Sequence, residues 1–300
     1  MAHLRKPEWL KVEIGGLRCG RVGRILEQYG LNSVCEQAGC PNKSECFKSG
    51  TATFILLGSR CTRSCAFCKV EHGLPQPPDP AEPGNIARAV AELGLRHVVI
   101  TSVTRDDLPD GGAGHFAETV NSIRDRSPDA VIEVLIPDLH GDWQSLQTVL
   151  DARPDILNHN VETVPELYSQ VRPQAIFARS VELLRQAKER SPGIFTKSGF
   201  MVGLGEEHAQ VVSLLRALHG AGCDIVTIGQ YLQPSAQHYP VKEYVHPDRF
   251  GEYRDIALGM GIPSVASGPL VRSSYHAEDD FKKLMQSINA AGTGRIGTPV

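Results

Sequence analysis

The chain has 300 residues, 41% of them hydrophobic, which is enough for one large core or two small ones. Its formal net charge is -3, so bulk electrostatics point away from nucleic acid or an anionic membrane as the main partner. The longest apolar runs, such as residues 54–57, are far too short to span a bilayer.

Residues 1–34 read as an extension with little periodicity. Up to Arg24 it carries Arg5, Lys6, Lys11, Arg18, Arg21 and Arg24 against Glu8 and Glu13, a local charge of +4 in an acidic chain. Two readings stand: a solvated arm, or a docking surface for an acidic partner. Trp9 and Leu10 are placed to pin this arm to the body. Ile25, Leu26, Tyr29 and Val34 suggest a short helix over 25–34, with Gly30 as a stop.

The densest chemistry follows. Six of the eight cysteines fall within residues 35–68, as Cys35, Cys40 and Cys46, then Cys61, Cys65 and Cys68. The spacings are C-x4-C-x5-C and C-x3-C-x2-C. Disulfides suit small exported domains that cannot build a core, and this chain is long, apolar and reads without an export signal. That reading expects a reducing, cytoplasmic setting. Structural zinc takes four ligands, usually as two pairs, which triplets fit poorly. A four-iron cube takes thiolates naturally, and three cysteines leave one iron open for chemistry. Cys19 and Cys223 lie outside both triplets and read as ordinary thiols.

Residues 51–58 form an apolar, β-branched run closed by Gly58, a strand that ends where the second triplet begins. Residues 72–83 hold five prolines and predict an irregular or polyproline segment. The chain then alternates. Strands are expected at 97–102, 130–136, 156–161, 195–202 and 225–231. Between them, helical spacing recurs around Ile86–Val90–Leu93, Phe116–Val120–Ile123, Leu146–Val149, Val181–Leu184 and Val211–Leu215. Such alternation argues for a parallel sheet with right-handed crossovers, as a partial (β/α)6 barrel of TIM type. Active sites of such barrels sit at the C-terminal strand ends, where the candidate residues fall. Residues 1–50 are then an N-terminal extension with the first cysteine loop, 51–262 the barrel, and 263–300 a C-terminal extension. The last eleven residues read as a loose tail.

The second triplet, with Phe67 before its last cysteine, resembles the radical S-adenosylmethionine (SAM) superfamily. The first triplet ends fifteen residues ahead of it, and that combination resembles the lipoyl synthase family. Further segments agree: Arg5-Lys6-Pro7, Thr101-Ser102-Val103, Arg105-Asp106-Asp107-Leu108, Asn158-His159-Asn160, Lys197-Ser198-Gly199 and Arg272-Ser273-Ser274-Tyr275-His276-Ala277. The resemblance covers the chain from Arg5 to about Ala277. It implies two [4Fe–4S] clusters and SAM as cofactors. The cluster on Cys61, Cys65 and Cys68 would bind SAM and yield a 5′-deoxyadenosyl radical. An auxiliary cluster on Cys35, Cys40 and Cys46, with a serine oxygen as fourth ligand, would give up sulfur. The resemblance favours Ser274 over Ser273 for that ligand; from the residues alone, the pair also reads as helix-capping chemistry. The implied reaction inserts sulfur at C6 and C8 of an octanoyl group on a carrier lysine. Implied partners are an octanoylated lipoyl carrier domain or glycine-cleavage H-type protein, an electron donor such as flavodoxin or ferredoxin, and a cluster-rebuilding protein. Arg5, Lys6, Arg18, Arg21, Arg272 and Tyr275 are the candidate substrate and partner contacts.

Thr101 and Ser102 end a strand and are candidates for the SAM amine, or they satisfy a turn. Asn158 and Asn160 share a face by the period of two and, with Glu162, are candidates for the ribose. Lys197 sits among apolar residues and needs a counter-charge: a ligand carboxylate, Glu162 or a structural partner. Asp106, Asp107 and Asp110 read as turn and capping residues rather than a Mg²⁺ site. The competing functions are another sulfur-inserting radical SAM enzyme, such as a methylthiotransferase, and a two-cluster electron carrier without catalysis.

Overall fold

The computed structural model describes residues 5–11, 20–48, 52–275 and 277–290. Helix α1 (Arg21–Gln28) packs Val22, Ile25 and Leu26 inward. Strand β1 (Asn32–Ser33), α2 (Val34–Gln37) and α3 (Lys43–Lys48) follow. The helix expected at 25–34 thus begins earlier and stops before Gly30, whose positive φ of 64° ends it.

The body alternates as the apolar periodicity requires. It runs β2 (Thr53–Leu56), β3 (Arg60–Cys61), β4 (Glu71–His72), α4 (Glu82–Leu93), β5 (His97–Ser102), α5 (Ala113–Arg126), β6 (Val131–Leu135) and α6 (Trp143–Asp151). It continues with β7 (Ile156–Asn158), α7 (Tyr168–Val171), α8 (Phe177–Arg190), β8 (Phe195–Val202), α9 (His208–Gly220), β9 (Ile225–Gln230), α10 (Pro247–Gly259), β10 (Ser264–Gly268) and α11 (Ala277–Ala290).

One eight-stranded sheet has the order β1-β2-β5-β6-β7-β8-β9-β10, while β3 and β4 form a separate pair. All neighbours in the large sheet are parallel except β1, which pairs antiparallel with β2. The six strands expected from the sequence are present. The sheet gains β1 at one edge and β10 at the other, so residue 263 onward begins as a barrel strand. Among the described residues β1 and β10 do not pair, and the barrel is partial.

The period of two sorts each strand. Val98 and Ile100, Ile132 and Val134, and Val226 and Ile228 face the helices and join one continuous apolar core. The alternate positions point inside. Towards the C-terminal strand ends these are Thr101, Leu135, Gly199, Met201, Thr227 and Gly229, and they line a cavity. One layer lower the interior is filled by a charged cluster instead: Lys197 and Glu133, both fully buried, 3.1 Å apart. Asn158 donates to Glu133 at 2.7 Å and His97 lies 3.5 Å from it. Phe281 of α11 lies edge-on to His97 and to Phe195, at 6.2 and 5.4 Å, and closes this end.

Two sequence expectations are corrected here. Lys197 takes Glu133 as its counter-charge, and Asn158 is spent on the same carboxylate, so neither reaches the cavity. The period of two gives the face of a strand but not the depth along it. No described helix is long and apolar enough to cross a membrane.

Candidate functional site

The cavity is about 600 Å³ and opens at the C-terminal strand ends. All six cysteines of the two triplets line it: Cys35, Cys40 and Cys46, and Cys61, Cys65 and Cys68. Phe67, Thr101, Ser102, Asn160 and Glu162 line it as well, as do Lys6, Arg272, Ser274 and Tyr275. Arg5 is exposed, and Arg21 donates to the Glu92 carbonyl at the end of α4, away from the cavity. Arg18, Cys19, His276 and residues 291–300 lie outside the described residues. Leu10 is fully buried and pins the start of the chain, while Trp9 stays 41% exposed beside His246.

The loop of the second triplet is held from every side. Leu57 and Gly58 take positive φ at the end of β2, and Arg105 donates to the Leu57 carbonyl from below. Arg63, 5% exposed, makes two bonds to Asp106 at 2.7 and 2.9 Å and one to Asp138 at 2.6 Å. The Ala66 amide donates to the Val171 carbonyl, and Tyr239 donates its amide to the Ala66 carbonyl. The Ser64 amide donates to Gln174 at 2.7 Å. Phe67 packs against Val171, Leu204 and Tyr231. The Thr104 amide points at the Cys61 sulfur at 3.3 Å, a donor aimed where thiolate charge would sit.

The acidic motif after β5 is therefore an anchor. Asp106 pairs with Arg63 and Asp107 with Arg105. Only Asp110 has the expected capping role, accepting from the Gly112 and Gly114 amides.

Burial pushes the Cys46 and Cys68 thiols up to about 12, and raises Cys35 and Cys65 as well. The protein alone thus disfavours thiolates here, and a bound cation is what would release those protons. Among the described residues no three His, Cys, Asp or Glu side chains converge on a single-ion position. A four-iron cube asks for something else, since each thiolate takes a different iron. The donor set fits clusters.

The wall beside the second triplet is polar and incompletely satisfied. Arg172, 8% exposed, donates to the Asn160 and Val161 carbonyls, but its Nε is buried without a partner. The Ser102 hydroxyl is likewise buried and unpartnered, whereas Thr101 spends its hydroxyl on the Leu135 carbonyl. Glu162 holds a positive φ of 65°. Burial raises its carboxyl above the ordinary range, and Arg172 works against that shift. Buried orphan donors fit a polar ligand such as SAM. The sequence reading missed Arg172. Its only signal was a lone basic residue before Pro173, ahead of an amphipathic helix.

His159 is a satisfied core histidine, bonded to the Ile136 carbonyl and to Ser180, and burial lowers it to about 4. In the turn after β8, Glu206 accepts from the Gly203 and Leu204 amides.

The C-terminal segment reaches the cavity through the barrel. A side chain at Gly229 would collide with the Val271 carbonyl, and one at Gly199 would lie 2.8 Å from the Ser273 hydroxyl. Ser273 donates to Asn160 at 3.0 Å. Segment 270–275 therefore runs against the inner face of β8 and β9 and brings Ser274 into the cavity that Cys35, Cys40 and Cys46 also line.

Comparison with known proteins agrees. The family model of the radical SAM superfamily matches residues 55–229, more than half the chain. The crystal structure of methylornithine synthase shares the fold, with a TM-score of 0.53 at 16% identity over 79% of this chain and 80% of that one. The hydrogenase maturase HydG does so with a TM-score of 0.55 at 14% identity, over 70% and 52%. The fold and cysteine loop thus define a radical SAM enzyme. Lipoyl synthase of Alkaliphilus metalliredigens is 55% identical over 280 residues, 93% of this chain and 97% of that one. Those of Nitratidesulfovibrio vulgaris and Methylococcus capsulatus are each 54% identical, covering 94% and 92% of this chain and 94% and 87% of theirs. Within the superfamily, the chain belongs to the lipoyl synthase family.

Proposed function

We propose that the cavity holds two [4Fe–4S] clusters with SAM between them, and that this sulfur-inserting radical SAM enzyme acts on an octanoyl chain delivered there. The observation that carries the two-cluster reading is that both cysteine triplets line one cavity. Cys61, Cys65 and Cys68 would hold the cluster that binds SAM; Cys35, Cys40, Cys46 and Ser274 would hold the auxiliary one. When bound, these groups supply the electron that opens SAM to a 5′-deoxyadenosyl radical and the sulfide that is inserted.

The chain's own residues position and exclude. Arg172 offers its free Nε to a carboxylate, and Ser102 its hydroxyl to a neighbouring polar group. Val34, Ile55, Val103 and Met201 give the cavity an apolar wall suited to an alkyl chain. A radical at an unactivated carbon needs such a dry enclosure, with the reacting groups held close.

The substrate would arrive on the lysine of a lipoyl carrier domain or glycine-cleavage H-type protein. Lys6 at the cavity wall and exposed Arg5 support a basic approach to it. A flavodoxin- or ferredoxin-like donor and a cluster-rebuilding protein complete the implied set, in a reducing, cytoplasmic setting. In this reading residues 1–50 and 263–300 serve the auxiliary cluster and 51–262 serve SAM.

The test is anaerobic turnover of an octanoyl-lysine peptide, followed by mass spectrometry. Two added sulfurs, and about eight irons per chain, are expected. Replacing Cys35, Cys40 and Cys46 with Ala should leave 5′-deoxyadenosine formation and abolish sulfur insertion. Electron transfer without SAM cleavage would favour the carrier reading instead.

A further inference from the structure

The loop bearing Cys35, Cys40 and Cys46 is joined to the C-terminal segment at two points. Asn42, 2% exposed, donates to the Leu270 carbonyl at 2.9 Å. The Tyr275 hydroxyl donates to the Glu45 carboxylate, 3.0 and 2.9 Å from its two oxygens. Asn42 lies between Cys40 and Cys46, and Glu45 is next to Cys46. Leu270 and Tyr275 lie on either side of Ser274. Ser274 thus lies between the two bonded residues of its own segment, while the bonded residues of the facing loop, Asn42 and Glu45, fall between Cys40 and Cys46.

The bonds differ in their surroundings. The first is part-buried and its donor Asn42 is enclosed, so breaking it strands the amide away from water. The second faces solvent, and water can replace either partner at little cost. Beyond it, α11 is fixed by Phe281 against the barrel floor, so Tyr275 has a short tether. Opening would therefore begin at the outer bond and turn about the inner one.

A cluster that gives up sulfur must be dismantled and rebuilt, so its loop has to open repeatedly without loss of the barrel. We propose that Tyr275 and Glu45 form a latch that sets how fast the cluster on Cys35, Cys40 and Cys46 loses and regains iron, with the Asn42–Leu270 bond as hinge. This rests on the auxiliary-cluster reading above. Both residues act by positioning the ligand loops rather than by touching substrate.

The experiment is iron release from the anaerobically loaded protein into 2,2′-bipyridyl, with the SAM-binding cluster as internal control. Tyr275→Phe and Glu45→Ala should each speed release of the auxiliary iron roughly three- to tenfold, the range that a solvent-facing hydrogen bond of ordinary net strength supports. Their double variant should be no faster than either single one, because both remove the same bond. Glu45→Gln, which can still accept, should release iron at the wild-type rate. The SAM-binding cluster should be unaffected throughout. A wild-type rate in Tyr275→Phe, or additive effects in the double variant, would overturn the latch. Hydrogen exchange on the metal-free full-length protein gives an independent arm. Residues 35–48 and 270–275 should exchange faster in Tyr275→Phe, and unchanged exchange would equally overturn it. If wild-type protein accepts only one cluster, the function reading fails, while the exchange arm still decides the latch.

Discussion

Ser273 donates its hydroxyl to Asn160 at 3.0 Å, and this bond separates two adjacent serines that the sequence alone cannot tell apart. Among the described residues none hydrogen-bonds the Ser274 hydroxyl, which lines the cavity with Cys35, Cys40 and Cys46. Asn160 in turn donates to Glu162, so Ser273 is tied to the proposed SAM side and Ser274 is left to the auxiliary side.

The first prediction follows from that division. Ser274→Ala should lower the auxiliary cluster's occupancy, or leave it as a three-iron species, while Ser273→Ala should leave its iron content unchanged. Ser274→Cys should retain four irons there, since thiolate is the commoner ligand. Iron analysis with Mössbauer spectroscopy reads all three variants. Equal losses from both alanine variants would mean that the segment matters only as packing.

A second prediction concerns Arg63. It sits inside the SAM-side loop, buried, with two carboxylates around it. Removing one member of such a cluster leaves uncompensated charge and costs about 3–5 kcal/mol. Arg63→Met should therefore lower the thermal midpoint and shed the SAM-binding cluster first. Arg63→Lys should recover part of the stability but not the two-bond geometry with Asp106. Chemical denaturation of the metal-free protein measures the first effect, and cluster retention by electron paramagnetic resonance the second.

The third prediction is a pH dependence. Burial alone would push the Glu133 carboxyl up, but Lys197, His97 and Asn158 outweigh it and hold it at about 2, below its ordinary 4.5. A depressed folded pKa contributes stability above the unfolded pKa and loses it as pH falls through the folded one. The metal-free protein should thus weaken between about pH 4.5 and pH 2. Lys197→Met should cost about 3–5 kcal/mol near neutrality. It should also remove this slope below about pH 4.5 and put one of opposite sign above it, because a buried carboxyl without its cation prefers to be protonated. Urea midpoints taken from acid to neutral pH decide it; parallel curves for wild type and variant would refute the assignment.

The same cluster marks the limit of what the sequence could say. Strands 97–102, 195–202 and 225–231 were legible because each joins apolar or β-branched residues on both faces and recurs between helical patterns, although 196–199 is polar. The six cysteines were legible because spacing and residue type together limit the chemistry. Of the readings open for Lys197 the structural ion pair holds, and neither Lys197 nor Asn158 serves as a ligand contact, because the interior of a barrel is layered and one layer separates a ligand wall from a packed floor. Asn158 and Asn160 were expected on one face, yet β7 ends at Asn158 and the turn to Glu162 breaks the alternation. Strand β10 was missed because Ser264–Gly268 carries only two apolar side chains. It is held instead by its parallel pairing with β9 and by a Ser267 bond to the Phe250 carbonyl. Arg172 could not be found from sequence, since its role depends on how the turn after β7 folds back on α7 and leaves its Nε unpaired.

The last prediction uses a glycine in β9. Gly229 faces the inside of the barrel, where the Val271 carbonyl and the Arg272 guanidinium pass close to its Cα. A methyl group there meets backbone rather than a side chain that can rotate away, so segment 270–275 would have to move. Overpacking of this kind costs about 1–3 kcal/mol, which a barrel of this size should survive. The displacement would pull Leu270 from Asn42 and Tyr275 from Glu45, and would carry Ser274 with them. Gly229→Ala should therefore fold, with a circular dichroism spectrum like that of wild type and a modestly lower midpoint. It should bind about four irons rather than eight and still cleave SAM, but insert no sulfur. Loss of both clusters would instead mean that the C-terminal segment supports the whole barrel mouth. Retention of both would mean that it has room to shift without disturbing the auxiliary loop.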